Sequence, residues 1–280
     1  MKHLNFRGLE NQFQDHKPNF ALASPFPHLV LDQFLKTASC EILAKSCVAI
    51  PDDKWTNYHH VNESKFGYSE FDQLESTARE IIAELHSDAF LDWLANLTGI
   101  PNLVVDNTLD GAGFHKILRG GFLNIHTDYL SHPTIPTWSR ELNLLLYLNE
   151  NWSHEYGGHL ELWDKKMEHA VKSIEPIFNR CVIFQCSKFS LHGHPTPLLC
   201  PVNESRNSFS AYYFTKSSKA VPLSVTNYRA RSSDSVAKRI MIFLDKELLS
   251  IYSKARRYTP IKDRHISRLL KFFRRGHRSL

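Results

Sequence analysis

Residues 120–128 read Gly120-Gly121-Phe122-Leu123-Asn124-Ile125-His126-Thr127-Asp128, and the last three set an imidazole and a carboxylate two positions apart. Side chains alternate with period two along a strand, so in that conformation His126 and Asp128 point to one face. Two such donors on a rigid face are two corners of a metal site. A histidine from elsewhere in the chain would complete a 2-His-1-carboxylate facial triad that leaves coordination positions open.

The spacing alone decides little, because a chain with 16 His and 29 Asp+Glu carries His-x-Asp/Glu by chance. About one or two occurrences are expected from composition. Besides the 126/128 pair there are His86-Ser87-Asp88 and His159-Leu160-Glu161. If helical, His86 and Asp88 would be about 200° apart, and the stretch lies where a helical pattern breaks, so it is read as a cap. His159 and Glu161 sit in a strand-like run after Gly157-Gly158 and are the rival metal pair.

Around this stretch, residues 103–215 are short apolar runs separated by Gly, Pro, Asn and Asp, the pattern of a sandwich or barrel. The runs are 114–118, 122–126, 142–148, 159–163, 171–174, 181–185 and 208–214, and their number and length suit a jelly roll. Upstream, Leu29-Val30-Leu31 reads as a strand, and Cys40, Leu43, Ala44 and Cys47 share one face of a helix that Thr37 or Ser39 could cap. Helical spacing returns over 72–85 and 87–97, with Gly99 and Pro101 as stops. These helices are expected to back the sheet. Residues 52–68 show no clear period and are read as loop. The resulting organisation is an irregular N-terminal arm (1–25), a catalytic domain with an N-terminal helical layer (26–216), and a helical, basic C-terminal extension (217–280). In that extension 234–252 forms a helix with Val236, Ile240, Phe243, Leu244 and Leu248 in register. Residues 253–260 interrupt it, and a last amphipathic segment carries Ile266, Leu269, Leu270 and Phe273.

Bulk properties are those of an ordinary globular chain: 280 residues, 42% hydrophobic and 22% charged. No apolar run has the length of a membrane span or a signal peptide, and the expectation is a cytoplasmic protein. The five cysteines include no Cys-x-x-Cys pair, so they read as reduced core thiols, and a thiolate zinc site is disfavoured. The net charge of +5 is a property of the tail: from Lys254 onward ten Lys/Arg face one Asp. Such a segment either packs with a solvated charged face or docks on an anionic partner, RNA or a membrane surface.

Downstream of the strands come Leu191-His192-Gly193-His194-Pro195 and then Arg206-Asn207-Ser208. The order His-x-Asp, strands, distal His, then a basic residue on the last strand resembles the 2-oxoglutarate and Fe(II)-dependent oxygenases, and within them the prolyl 4-hydroxylase-like branch. Further phrases resemble its bacterial members: Arg119-Gly120-Gly121-Phe122-Leu123, Leu142-Asn143-Leu144 with Tyr147-Leu148-Asn149, Tyr156-Gly157-Gly158 with Leu160-Glu161-Leu162-Trp163, and Phe178-Asn179-Arg180. The resemblance spans about 25–215 and implies an α+β fold: a double-stranded β-helix (jelly roll) core backed by N-terminal helices, with the helical C-terminal extension attached.

The resemblance also implies the site. Its motif falls on His126, Asp128 and His192 as Fe(II) ligands and catalytic residues, with His194 the other candidate for the distal position. Arg206 is expected to hold the far carboxylate of 2-oxoglutarate in bidentate fashion, aided by Ser208, with Arg119 and Arg180 as alternatives. The 14-residue separation of His192 and Arg206 is long for the family. Asn143 either holds the co-substrate or satisfies a buried group. The implied activity is hydroxylation of an unactivated C–H bond, of a peptidyl proline or a related protein or small-molecule substrate, with ascorbate as reductant. Two other readings stand beside it: a cupin-like zinc hydrolase or isomerase built on His159 and Glu161, and an inactive jelly-roll binding module. The sequence is silent on oligomeric state.

Overall fold

The computed structural model describes residues 1–258. The core is one antiparallel, curled sheet whose strand order follows the jelly-roll crossing pattern rather than the chain. Four strands matter most: β5 (Gly113–Leu118), β6 (Phe122–Thr127), β7 (Trp138–Tyr147) and β12 (Ser205–Lys216). β12 pairs with both β5 and β7, so it lies centrally on one side of the curl. On the other side β6 pairs with β11 (His192–His194), which pairs in turn with β8 (Leu160–Trp163), and β8 with β9 (Ala170–Ile174). β1 (His28–Leu31) and β10 (Cys181–Gln185) extend the sheet beyond β7.

Period-two alternation sorts β7 and β12 into two faces. Leu142, Leu144, Leu146, Phe209, Ala211 and Tyr213 are buried against helices α3 (Thr37–Val48), α4 (Ser76–Leu85) and α5 (Asp88–Thr98). Each leucine or phenylalanine buried there contributes roughly 1.5–3 kcal/mol. The alternate residues Asn143, Tyr147, Arg206, Ser208 and Ser210 are also buried, yet they are polar and face the interior of the curl. A polar face that is buried has to be built for a ligand or be satisfied internally.

The helical layer forms where the spacing predicts, except that the helix expected over 72–85 begins at Ser76, after a 3₁₀ turn at Phe71–Gln73. Ser87 caps α5, its Oγ accepting from the Phe90 N–H at 3.4 Å, and Gly99 ends the helix in the left-handed region at φ 75°. α3 starts without a side-chain cap; Lys36 rather than Thr37 or Ser39 precedes it.

Three expectations need correction. Residues 1–25 are not wholly irregular, since α1 (Phe6–Asn11) and α2 (Phe13–Ala21) form there and bury Leu9 and Phe20 against the helical layer. Polar composition and Pro18 within α2 conceal them in the sequence. The expected loop at 52–68 contains a hairpin, β2 (Thr56–His60) and β3 (Glu63–Tyr68), which pairs with β5 and β6. Its inward residues Glu63 and Lys65 are charged and pair with each other at 3.0 Å, so alternation exists without a hydrophobic signal. The C-terminal helix, α6 (Val236–Tyr258), passes through the expected break at Ser253. Val236, Ile240, Phe243, Leu244 and Leu248 are exposed on it, while Ile242 is buried. No helix among the described residues is long and apolar enough to cross a membrane, and the final amphipathic segment with Ile266, Leu269, Leu270 and Phe273 lies outside the described residues.

Candidate active site

β6 and β11 pair in antiparallel register with His192 opposite His126, which brings the two rings to a centroid separation of 4.5 Å. That approach depends on Gly193: a Cβ there would stand 2.8 Å from the carbonyl oxygens of both Leu123 and Asn124. Asp128, just past the end of β6, presents its carboxylate between the rings. Its Oδ1 is 3.6 Å from His126 Nε2, and its Oδ2 is 3.4 Å from His192 Nε2.

The other ring nitrogens are spent on the backbone. His126 Nδ1 donates to the Asn124 carbonyl at 2.8 Å and His192 Nδ1 to the Ser190 carbonyl at 2.9 Å. A carbonyl only accepts, so each Nδ1 carries a hydrogen, and Nε2 is the ring atom turned toward Asp128. Fixing the tautomer and ring plane in this way is what metal-ligating histidines require. Burial drives the His192 pKa down, to about 4, which keeps the ring in its neutral, ligating form. For Asp128, burial would raise the pKa, but Arg140, His192 and His126 outweigh it and hold the group well below the usual carboxylate range. Two imidazoles and one carboxylate, with ligand atoms all within 4.8 Å, fit a ferrous ion that keeps other positions open.

Asn143 stands behind the carboxylate. Its Nδ2 donates to Asp128 Oδ2 at 2.6 Å and its Oδ1 accepts from Arg140 Nε at 2.7 Å. Of the two roles expected for Asn143, these bonds are those of a side chain that satisfies buried groups, and it also lines the chamber where a co-substrate would sit.

A chamber of about 100 Å³ is lined by the two histidines, Asp128, His194, Arg206 and Ser208. Arg206 is buried, donating through Nε to the Gly158 carbonyl at 2.8 Å and through Nη2 to Tyr147 Oη at 3.3 Å, with its guanidinium 4.9 Å from the Tyr147 ring centroid. Among the described residues it has no carboxylate partner, and burial lowers its pKa. A guanidinium shut away from water without a counter-ion is a ready receptor for an anion. Its alternatives are engaged elsewhere: Arg119 donates to the Cys200 carbonyl and Arg180 pairs with Asp32.

His194 is not the third member of the cluster. A register shift between His192 and His194 turns it away from the Asp128 carboxylate, and it lines the chamber with both ring nitrogens buried and without hydrogen-bond partners. The rival pair also separates: Glu161 accepts the Trp163 indole N–H at 2.8 Å, while His159 turns to Glu175. That removes the donor set on which the zinc hydrolase reading stood.

A second, larger cavity of about 490 Å³ meets the same cluster through His126 and Asp128. Its wall includes Tyr58, Lys65, His115, Tyr129, Arg140, Tyr212 and, from the C-terminal extension, Tyr228 and Asp245. Of the adjacent pair Tyr212 and Tyr213, Tyr212 faces this cavity, and Tyr213 points into the helical layer, donating to the Leu85 carbonyl at 3.3 Å. Sequence reasoning missed Arg140, which stacks on Tyr212 at 3.4 Å and on Tyr129 at 4.6 Å, and it missed Lys65 and His115. A charged residue inside a strand run, Arg140 two positions before Leu142, was the available signal.

Residues 112–214 match the family model of the 2OG-Fe(II) oxygenase superfamily. The mouse (Mus musculus) protein prolyl 3-hydroxylase OGFOD1 is 25% identical over 195 residues, 68% of this chain and 33% of that protein, so the chain spans about a third of its relative's length. Among solved structures, a Pseudomonas putida prolyl-4-hydroxylase superposes with a TM-score of 0.52 at 15% identity, covering 73% of this chain and 100% of that one. A Trichoplax adhaerens prolyl hydroxylase, solved with a hypoxia inducible factor peptide fragment, gives 0.55 at 16% identity, covering 74% and 92%. The segment similar to the 2OG-Fe(II) oxygenase superfamily carries His126, Asp128, His192 and Arg206, and the fold around it is that of the prolyl hydroxylases.

Proposed function

We propose that the protein is an Fe(II)- and 2-oxoglutarate-dependent dioxygenase that hydroxylates an unactivated C–H bond of a peptidyl proline or a related substrate, with ascorbate as the supporting reductant. The observation that carries this reading is the pairing, in one chamber, of the His126/Asp128/His192 cluster with a buried Arg206 that has no counter-ion among the described residues. Bound ferrous iron and 2-oxoglutarate would supply the activation of dioxygen, which is the oxidant: one oxygen atom goes to the substrate C–H bond and the other to 2-oxoglutarate, which leaves as succinate and carbon dioxide.

The chain's own residues do the positioning. His126, Asp128 and His192 would hold the metal, their ring planes set by the Asn124 and Ser190 carbonyls and the carboxylate by Asn143. Arg206 and Ser208 would receive the distal carboxylate of 2-oxoglutarate in a chamber whose apolar walls, Leu145, Leu160 and Phe184, exclude water. The 490 Å³ cavity on the other side of the metal ligands would take the primary substrate, with tyrosine faces and the Arg140 guanidinium lining it. A proline ring and its flanking amides suit such a wall, since the ring packs on aromatic faces and the carbonyls accept from a guanidinium. The name of the mouse relative, a prolyl 3-hydroxylase, supports the same substrate class.

The test is succinate formation with Fe(II), 2-oxoglutarate and ascorbate against a panel of proline-containing peptides and small metabolites. Iron-dependent succinate that disappears in His126→Ala and Asp128→Ala is expected. An undiminished rate in either variant would reject the assignment, and turnover confined to metabolites would reject the peptidyl substrate.

A further inference from the structure

A second cluster of ligand-type side chains lies outside the chamber, where β8 meets β9. The register that pairs Leu160 with Ile174 puts His159 across from Glu175, and the 3₁₀ turn His154–Tyr156 brings a second imidazole over both. The rings of His154 and His159 are 4.7 Å apart at their centroids. His154 Nδ1 contacts Glu175 Oε1, and His159 Nε2 is 3.6 Å from the same oxygen. All three ligand atoms lie within 4.8 Å of one another.

His159 supplies an independent sign of a missing partner. Its Nε2 is closed to solvent and has no hydrogen-bond partner among the described residues, since the 3.6 Å to Glu175 is too long for a hydrogen bond. A buried ring nitrogen left in this way costs about 1–3 kcal/mol, and a cation placed between it and the carboxylate would remove that cost. The remaining acidic cluster with histidine is different in kind. The Asp164 carboxylate is already filled by the backbone N–H groups of Lys166, Glu168 and His169, which makes it a turn.

We propose that His154, His159 and Glu175 form a second metal site, for a divalent transition ion of the zinc type. Two imidazoles and one carboxylate are borderline donors suited to Zn²⁺, at ligand distances of about 2.0–2.2 Å. Tetrahedral ligation at such distances separates neighbouring ligand atoms by about 3.4 Å, close to the 3.6 Å between His159 Nε2 and Glu175 Oε1. His154, with its side chain 78% exposed, leaves the ion an entry path. Gly158, next to His159, accepts from Arg206 through its carbonyl, so an ion here ties the 154–159 turn to β9 beside the seat of that guanidinium.

The site is tested with Zn²⁺ alone, in protein carrying His126→Ala and Asp128→Ala so that the primary cluster cannot bind. Equilibrium dialysis and calorimetry are expected to show one equivalent of Zn²⁺ and a melting temperature that rises with zinc concentration. His154→Ala, on an exposed side chain that the fold does not need, and Glu175→Gln should each weaken binding at least tenfold, and His159→Gln should remove it. No zinc bound in the parent variant, or binding unchanged by His154→Ala and Glu175→Gln, overturns the site. Because the readout is binding in a protein without the primary ligands, its failure leaves the oxygenase assignment standing, and the converse also holds.

Discussion

Asn143 Nδ2 sits 2.6 Å from Asp128 Oδ2, and the same side chain accepts from Arg140 Nε on its other end, so one buried amide connects the metal-side carboxylate to a buried guanidinium. The arrangement fixes which oxygens of Asp128 face the two imidazoles. Outer-shell partners of metal ligands typically contribute 10–100-fold to affinity. Asn143→Ala should therefore weaken Fe(II) binding by about one to two orders of magnitude while the jelly roll stays folded, as read by metal titration and circular dichroism. Wild-type affinity in that variant would mean that Asp128 is held by Arg140 alone.

Arg206→Lys tests the anion receptor without removing its charge. A lysine cannot donate to the Gly158 carbonyl and to a carboxylate as a fork, and hydrogen bonds to charged groups contribute about 1.5–3 kcal/mol. The KM for 2-oxoglutarate should rise roughly 10–100-fold, with Fe(II) affinity little changed. Equal losses in both would show that the substitution disturbs the whole chamber.

Gly158→Ala reaches the same guanidinium from the backbone. Gly158 has φ 74°, and an added Cβ would lie 2.8 Å from Arg206 Cδ and 2.7 Å from Leu198 Cδ2. The backbone conformation is unfavourable to L residues and the contacts push on the receptor itself. The expected result is a raised KM for 2-oxoglutarate together with a loss of stability of about 1–3 kcal/mol, measured by urea denaturation. A variant with an unaltered KM would show that Arg206 does not depend on this turn.

How far the sequence carries can be judged from the strands themselves. Where one face is apolar the reading holds, as for β7 with Leu142, Leu144 and Leu146, and the candidate metal pair is legible because His126 in β6 and Asp128 just past its end lie two positions apart and present their side chains together. Alternation fails where the register slips. Counted from Leu142, Arg140 belongs on the helix-facing side, but the pairing shifts between Leu142↔Tyr213 and Arg140↔Phe214, and this bulge turns the guanidinium inward. The same kind of shift separates His194 from His192. The β2–β3 hairpin was illegible for another reason: its inward residues, Glu63 and Lys65, satisfy each other, so no hydrophobic period marks the strand. The seat of Arg206 depends on Gly158 and Tyr147, 48 and 59 residues away, which no local pattern records.

The last prediction concerns pH and follows from two histidines shifted in opposite directions. For His60, burial works to lower the pKa, but Asp245 on α6 and Glu63 on β3 outweigh it and raise the value to about 9. A folded-state pKa above the unfolded value of about 6.5 contributes stability that is fully present below that value and is lost as pH rises through 9. For His115, burial first and Lys65 second lower the pKa to about 3. Its contribution is present above the unfolded value and is lost as pH falls toward 3. Metal-free protein should accordingly lose stability on both sides of near-neutral pH, and the alkaline loss should be largest where α6 is latched to the hairpin by Asp245. His60→Gln removes one titration and keeps a polar side chain, so the stability gap between wild type and variant should shrink by roughly 3 kcal/mol between pH 6.5 and 9, while the acid limb is unchanged. Urea midpoints across that range provide the measurement. A gap that stays constant from pH 6.5 to 9 would mean that His60 is not charged in the folded protein and that the latch rests on the Asn62 amide, which donates to Asp245 at 2.6 Å.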